Sequence, residues 1–193
     1  MNTLLPDQLI AIHNALVAVA IPHAFGGAIA FAYYGEPRAT HDIDVNIFLP
    51  SDHASRVLDS LSTVFPIAQR ERVEGQLLHT AQARLRWEYV PVDLFFSNSP
   101  FHDEMAARSR VVDFAGVKIP VLSAEDLILC KSAYDRPRDW IDIENMFQIQ
   151  RQDIDGEYLR RWLNEFFEPD DERARKLEGF IRKYGGPAVP ERD

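Results

Sequence analysis

A stretch of eight residues, "DIDVNIFL" at 42–49, constrains the fold most, because it alternates between polar and apolar side chains. Successive side chains of a strand point to opposite faces of the sheet. One face therefore carries Ile43, Val45 and Ile47, and the other carries Asp42, Asp44 and Asn46. The two carboxylates lie only about 7 Å apart along the strand, and like charges that close cost stability unless a cation compensates them. The stretch predicts a β-sheet with one buried face and a need for positive charge on the other.

Several kinds of site use an Asp-x-Asp pair, and the surrounding residues separate them. A calcium-binding loop is excluded, because Ile47 stands at its turn glycine and His53 at its final acidic ligand. A phosphatase with an aspartyl nucleophile places the pair after an apolar strand, whereas this pair precedes one. Two interpretations stay open: a solvated strand edge, whose charges prevent pairing with other chains, and a two-metal site for nucleotidyl transfer.

Two further features favour the metal site. Gly26 and Gly27 follow a short predicted strand and open a predicted helix, where backbone N–H groups suit phosphate binding. Asp93 stands alone in the apolar strand "VPVDLFF", where a carboxylate is costly to bury unless it is compensated. Three acids on neighbouring strands can hold two Mg²⁺ ions through oxygen ligands.

The residue pattern changes from mostly strand to mostly helix near residue 123. After an initial helix at 6–20, strands are predicted to dominate as far as 121 and helices from 123 to 184. This division predicts an α+β fold, in which a small mixed-sheet core at 1–122 precedes a C-terminal helical region at 123–193 that completes the active-site cleft. The last residues, from about 185, are predicted to be loosely attached.

Local signals predict where several of these elements begin and end. Gly35 is expected to stop a short helix that starts after the glycine pair, and Ser51 is expected to cap the start of another. Ala115 and Gly116 are expected to form the turn of a hairpin. "SAED", which begins at Ser123, resembles the capping box of a helix.

Charge and composition restrict the compartment and the partners. The net charge of −9 makes the chain a poor platform for nucleic acid, which binds through clustered basic residues. The single cysteine, Cys130, precludes an internal disulfide framework and suits a reducing compartment. The longest unbroken apolar stretch, 15–21, is too short to span a bilayer, and no basic residue precedes Arg38, so no secretory signal is visible. These features predict a cytoplasmic protein that does not associate with membranes.

The order of the motifs resembles the nucleotidyltransferase-fold superfamily. Its signature is a Gly-Gly or Gly-Ser pair, then Asp-x-Asp, then a third Asp on a later strand, as in "GGAIAFAYYGEPRATHDIDVNI" and "VPVDLFF". The resemblance is closest to the small prokaryotic branch that includes abortive-infection and MenT-like toxin nucleotidyltransferases. In that branch "R-x-T-x-D-I-D" recurs, with a later segment similar to "VLSAEDLILCKSAYDRPRDWIDI". The resemblance covers residues 23 to about 147.

This resemblance implies an enzyme that moves a nucleoside monophosphate from a nucleoside triphosphate, such as ATP, to an acceptor hydroxyl or phosphate. Asp42 and Asp44 would bind Mg²⁺ or Mn²⁺, and Asp93 would complete the metal site and help to deprotonate the attacking hydroxyl. The glycine pair would hold the triphosphate. Many active relatives have serine after the first glycine, whereas this chain has Gly27 and then Ala28, so the alternative is a degenerate protein that only binds a nucleotide or a partner.

Other residues receive roles through the same resemblance. Lys131 would reach the phosphates as a mobile, exposed cation that adds little to folding stability. Asp139 and Asp142 would orient it, although Asp139 also suits a helix cap. Arg38 would pair with an acid or a phosphate. Thr40 would contribute to the nucleotide site, unless it only shapes the turn before the acids.

The family also implies partners. The acceptor would be a small molecule, a protein side chain or a tRNA end, and the acidic charge disfavours tRNA. A toxin would have an antitoxin partner. His41 is a site candidate only because it adjoins the acids. The basic residues of 173–183 alternate with apolar ones, which favours an amphipathic helix with a solvated face over an RNA-binding surface.

Overall fold

The computed structural model describes residues 4–184, which form two compact units. The first unit contains residues 4–29 and 39–122, and the second contains 30–38 and 123–184. The division into two functional domains stays a prediction. The predicted loose tail lies outside the described residues.

A mixed six-stranded sheet forms the centre of the first unit. Its strands are β1 (His23–Phe25), β2 (Ile43–Pro50), β3 (Gln82–Trp87), β4 (Val90–Ser97), β5 (Arg110–Phe114) and β6 (Val117–Val121). They lie in the order β3-β4-β2-β1-β6-β5. β2 is parallel to β4 and antiparallel to β1, while β1 is parallel to β6. Antiparallel partners, β3 beside β4 and β5 beside β6, complete the two ends of the sheet. The α+β class is confirmed.

Strand β2 has the two faces that its alternating sequence predicts. Ile43, Val45 and Ile47 have no exposed surface. Asp44, on the opposite face, is half-buried. Asn46 on that same face is buried, and its Nδ2 donates a hydrogen bond to the carbonyl of Ala24 at 3.4 Å. Strand β2 therefore has one apolar face, which is buried, and one polar face that carries Asp44.

Five helices precede or connect the strands of this sheet along the chain. They are α1 (Leu5–Ala18), α2 (Gly27–Phe31), α3 (Ala54–Leu61), α4 (Arg70–Thr80) and α5 (Pro100–Arg108). Helix α1 has a proline in its first turn, which suits the free N–H positions there. It buries Leu9, Ile12 and Leu16 completely, as the helical spacing predicts. The last residues of α2 already belong to the second unit.

Helices α4 and α5 correct the prediction that strands dominate this part of the chain. In α4 only Leu77 is buried, so the helix has almost no apolar periodicity for a sequence pattern to detect. It consists mostly of arginine, glutamate, glutamine and leucine, which favour a helix wherever packing does not decide. Helix α5 begins with Pro100, a common first residue of helices.

Two predicted helix boundaries were wrong and one predicted turn is confirmed. Ser51 starts a single 3₁₀ turn, and α3 begins only at Ala54 without a side-chain cap. Helix α2 ends before Gly35, in a series of turns whose hydrogen bonds stabilise the chain locally. Ala115 and Gly116 both have positive φ, +51° and +83°, as a tight two-residue hairpin requires.

The second unit consists mainly of four helices. They are α6 (Ala124–Tyr134), α7 (Pro137–Gln150), α8 (Gly156–Phe166) and α9 (Glu172–Tyr184). The predicted cap of α6 is confirmed, because the Ser123 hydroxyl oxygen accepts a hydrogen bond from the Asp126 N–H at 3.1 Å. The Asp126 Oδ1 atom accepts a hydrogen bond from the Tyr158 hydroxyl at 2.6 Å, which connects α6 to α8. Within residues 4–184, no helix is long and apolar enough to cross a membrane.

Two histidines of the first unit form a pair, of which His23 is buried and His13 is half-buried. His23 Nδ1 lies 2.9 Å from the Ile21 carbonyl, so this nitrogen carries the proton, and His23 Nε2 then accepts from His13 Nδ1 at 3.0 Å. A second proton on His23 would face a donor instead of an acceptor. Burial lowers the pKa of His23 to about 4, and the nearby His13 adds to the effect.

We expect the stability of the protein to fall as the pH drops from 6.5 towards 4. In this window the unfolded chain protonates His23 and the folded chain does not. Once the pH lies below 4, the free energy of unfolding has fallen by about 3 kcal/mol through this residue. His23→Asn retains a donor for the Ile21 carbonyl and removes the titration. Urea unfolding at pH 5 and pH 7 should therefore show a smaller loss for this variant than for the wild type. Burial also lowers the pKa of His13 and His102, so some pH dependence remains.

The exposed His79 supplies a matched control. His79→Asn should keep the pH dependence of the wild type. Equal losses of stability in the wild type and in His23→Asn would contradict the assignment of the effect to this pair of histidines.

Candidate functional site

The glycine pair joins β1 to α2 and lies directly against the acidic strand. The Gly26 N–H donates to the Asp44 carbonyl at 3.0 Å, which extends the pairing of β1 with β2. Gly27 has φ +54°, a conformation that favours glycine. A Cβ at Gly27 would lie 1.7 Å from Asp44 Oδ2. The Asp44 carboxylate thus rests on a backbone position that has no room for any side chain.

The register of three strands places charged residues side by side. Asp44 of β2 pairs with Asp93 of β4, and Asp93 pairs with Arg84 of β3. Paired residues point to the same face, and neighbouring strands lie about 4.8 Å apart. We call these three residues the Asp44–Asp93–Arg84 row. The structure therefore brings the second and third predicted acids together across two parallel strands.

Asp42 lies one residue before β2, at the start of the acidic face. Its Oδ1 accepts a hydrogen bond from the Thr40 hydroxyl at 2.5 Å. Thr40 therefore contacts a predicted metal ligand, which holds the orientation of that carboxylate. His41, between them, is exposed.

Arg84 is a member of this site that the sequence analysis missed. Its Nε and Nη2 donate to the two oxygens of Asp93 at 2.7 and 2.6 Å. The Asp93 side chain is only 12 % exposed, whereas that of Arg84 is 64 % exposed. The hydrogen bond and the charge of Asp93 raise the pKa of Arg84, and Asp42 and Asp44 also contribute. The cation that the three acids require is thus supplied, in part, by the chain itself.

A signal for Arg84 was present in the sequence. In "QARLRW" Ala83 and Leu85 are buried, and Arg84 and Arg86 point the other way. The alternation predicts an outward-facing pair of basic residues. It does not predict which strand lies beside them, and that pairing creates the contact.

The chemistry of the acidic face suits a divalent metal ion, because carboxylate oxygens are the ligands that hard cations prefer. Among residues 4–184, however, no three acidic, histidine or cysteine side chains form a group arranged to hold a metal. Both Asp93 oxygens accept hydrogen bonds from the Arg84 guanidinium instead. The donor chemistry of the three acids fits the ion, and the metal site stays a prediction.

The second unit contains a buried ion-pair network around Lys131. The Lys131 Nζ lies 2.6 Å from Asp142 Oδ2 and 3.6 Å from Asp139 Oδ1. Its side chain is only 5 % exposed, so the prediction of a mobile, exposed lysine was wrong. The reason is that α6 is buried on almost all sides, including the turn that carries Lys131.

Asp142 receives two cations. Arg38 donates to it through Nε at 3.2 Å and Nη2 at 2.9 Å, in addition to the bond from Lys131. Burial would raise the pKa of Asp142, but these hydrogen bonds and charges outweigh burial and hold its pKa below the ordinary value. Arg38 therefore pairs with an acid, and both aspartates contact Lys131. That they orient Lys131 for catalysis stays a prediction.

Asp139 also caps α7. Its Oδ2 accepts from the backbone N–H of Arg136 at 3.3 Å and from the Arg136 Nε at 2.6 Å, so it satisfies the N–H of the residue that precedes the helix. Asp139 therefore caps α7 and also lies near Lys131, while a catalytic role for it stays a prediction.

We expect Lys131→Met to destabilise the protein by about 1–3 kcal/mol, because Asp142 loses a buried, charge-assisted hydrogen bond from Lys131, although Arg38 still pairs with Asp142. Chemical denaturation measures this loss. Lys118→Met is the matched control, since Lys118 forms an exposed pair with Asp113 at 3.6 Å that contributes less than about 1 kcal/mol. Wild-type stability in Lys131→Met would contradict a structural role for the network.

The remaining candidates have ordinary surroundings. Cys130 is half-buried. Helix α9 buries Leu177 and Ile181, and several of its basic side chains pair with acids, as expected for an amphipathic helix with a solvated face. Lys176 lies over the Trp140 ring at 4.3 Å.

Comparison with known families gives one match over most of the chain. Residues 11–188 match the profile of the family described as "Nucleotidyl transferase AbiEii toxin, Type IV TA system", where TA stands for toxin–antitoxin. Among curated proteins, none matches the chain.

Solved structures with a similar fold include an adenylyltransferase and a nucleotidyltransferase-like protein. The antibiotic-resistance factor ANT(2'')-Ia has a TM-score of 0.57 and 15% identity, over 95% of this chain and 100% of its own. A nucleotidyltransferase-like protein from Paracoccidioides brasiliensis has a TM-score of 0.54 and 19% identity, and the match covers 91% of this chain and 87% of that protein. The lincosamide antibiotic adenylyltransferase LnuA has a TM-score of 0.53 and 18% identity, and the match covers 77% of this chain and 99% of LnuA. At these identities the likeness establishes the fold.

Proposed function

The chain belongs to the AbiEii family of nucleotidyl transferase toxins of type IV toxin–antitoxin systems, and on this premise we propose that its catalytic site is the acidic face of the central sheet. A nucleotidyltransferase of this family moves a nucleoside monophosphate from a nucleoside triphosphate to an acceptor, and it uses a divalent metal. The observation that carries the assignment is the pairing of Asp44 with Asp93 on neighbouring strands, beside the Gly27 backbone.

Asp42, Asp44 and Asp93 are the proposed ligands of the metal, and Mg²⁺ is the proposed ion, with Mn²⁺ as a substitute. A bound divalent ion stabilises negative charge on the phosphates and aligns the triphosphate with the acceptor. Thr40 holds Asp42 through its hydroxyl, and Gly27 supports Asp44 through the close approach of its backbone. These contacts pre-orient two carboxylates before any ion binds.

The proposed reaction is a displacement at phosphorus. The acceptor oxygen forms a bond with the α-phosphorus, the bond from this phosphorus to the bridging oxygen breaks, and pyrophosphate leaves. Asp93 accepts the proton of an acceptor hydroxyl as general base. Because both of its oxygens now accept from Arg84, Asp93 is released from this pair before it acts.

The glycine pair is proposed to contact the triphosphate through one amide rather than two. The Gly26 N–H already donates to the Asp44 carbonyl, which leaves the Gly27 N–H for a phosphate oxygen. Ala28 adds no hydroxyl. Contacts of Lys131 and Arg38 with phosphates stay predictions, and both cations are engaged by Asp142 within their own unit.

The acceptor is proposed to be a small molecule, a protein side chain or a tRNA end, and the antitoxin is proposed as the protein partner. Two of the similar structures belong to proteins named for antibiotics, which makes small-molecule hydroxyls worth testing first. The net charge of −9 disfavours tRNA.

The test is transfer of label from nucleoside triphosphates. The protein is incubated with each of the four triphosphates, labelled at the α-phosphate, with Mg²⁺ or Mn²⁺ and a cell extract. We expect label in an acceptor from at least one triphosphate, and none when the label is at the γ-phosphate. Binding of triphosphate without transfer under every condition would favour the degenerate, binding-only alternative and overturn the proposal.

A further inference from the structure

Arg84 binds both carboxylate oxygens of Asp93, which is one of the three proposed metal ligands. Its guanidinium takes both carboxylate oxygens in a two-pronged contact at 2.7 and 2.6 Å. Such charge-assisted, bidentate pairs are the strong ones among hydrogen bonds. The register of β3 against β4 fixes the two residues opposite each other, so the contact is built into the sheet.

The contact opposes metal binding in two ways. A carboxylate whose two oxygens accept from a guanidinium cannot direct the same lone pairs at an ion. In addition, a positive charge in the row repels a dication that approaches Asp44, the neighbour of Asp93 on the other side. The same charge compensates the acids when no ion is bound, which relieves the repulsion among them.

The two partners of the contact differ in their exposure to water. The Arg84 side chain is 64 % exposed, whereas its partner is 12 % exposed. Arg84 can therefore swing into water while Asp93 keeps its place in the sheet. Of the two residues, the arginine has more room to move into water.

We propose that Arg84 is the resident counter-ion of the metal-free site: it holds Asp93 until a divalent metal displaces it. This inference rests on the proposed function, because it requires the acidic face to bind metal. It makes the apparent metal affinity weaker than the three carboxylates alone would give, since only the fraction of molecules with Arg84 released can bind with full affinity. Arg84 thereby sets the metal concentration at which the site fills.

The experiment titrates Mn²⁺ alone, without nucleotide, into the full chain by calorimetry. Arg84→Gln removes the competing charge, and we expect its dissociation constant for Mn²⁺ to be on the order of tenfold lower than that of the wild type. Arg84→Lys retains the charge without the two-pronged contact and should fall between them. Arg86→Gln is the matched control: it removes the same charge from the next outward position of β3 and should change the affinity about twofold at most.

Thermal unfolding gives a second readout. Without metal, Arg84→Gln should be less stable than the wild type, because the acids lose their counter-ion. The gain in Tm on adding Mn²⁺ should be larger for the variant. If the Gln variant does not fold, the Lys variant provides the same comparison with a smaller gain in affinity.

Two outcomes would overturn the inference. One is an Mn²⁺ affinity of Arg84→Gln that equals that of the wild type, and an accompanying loss of Mg-ATP affinity would then place Arg84 at the nucleotide phosphates. The other is a weaker affinity, which would mean that Arg84 positions Asp93 for metal. A wild type that transfers label yet gives one of these results defeats only this inference, whereas no Mn²⁺ binding and no transfer in the wild type defeats the proposed function too.

Discussion

Asp44→Asn is expected to abolish nucleotide transfer without lowering the stability of the metal-free protein. The amide keeps the shape that rests on Gly27 and loses the charge that a metal requires. Three acids share one arginine in this region, so removal of one negative charge relieves repulsion rather than creating it. Asp42→Asn should behave in the same way. The measurements are single-turnover transfer, metal affinity by calorimetry, and urea unfolding in a chelator.

Asp93→Asn should give a different pattern. Mg-nucleotide binding should survive, because Asp42 and Asp44 still hold the metal, while transfer should slow by a factor on the order of 10² to 10⁴ through loss of the general base. The metal-free protein should also lose about 1 kcal/mol, because the charge-assisted contact with the exposed Arg84 disappears. Full activity in Asp93→Asn would remove this residue from the site. Full activity in Asp44→Asn as well would reduce "DIDVN" to a solvated strand.

Gly27→Ala is expected to reduce transfer by a factor on the order of 10², because a Cβ at this position displaces the Asp44 carboxylate from its present place. The positive φ of Gly27 adds backbone strain, and together we expect a loss of about 1–3 kcal/mol of stability. Single-turnover transfer and denaturant unfolding measure the two effects.

Gly75→Ala provides the control for this substitution. Gly75 lies within α4, and a Cβ there would meet nothing within 4 Å. The change should leave transfer intact and stabilise the protein by about 0.5–1 kcal/mol. A Gly27→Ala variant with wild-type transfer would show that the close approach of Asp44 to this backbone is dispensable.

Local patterns predicted those features that depend on neighbouring residues in the sequence. The alternation of β2, the hairpin turn at Ala115–Gly116 and the cap at Ser123 each follow from a few consecutive residues, and the structure has them. Helix α4 was missed because it lacks such a local pattern. With Leu77 as its one buried residue, it has no local apolar pattern to detect.

The sequence by itself determined that Asp42 and Asp44 share one face of a strand beside a glycine pair, because side-chain direction along a strand has a period of two. It also determined that Asp93 needs compensation, because an isolated carboxylate in an apolar strand is costly. Only the tertiary structure decided that Arg84 supplies the compensation. The pairing of β3 with β4, and of β4 with β2, is a choice among strands that no local pattern encodes. The burial of Lys131 was decided in the same way, because the helices packed around α6 determine whether its charge meets water or Asp142.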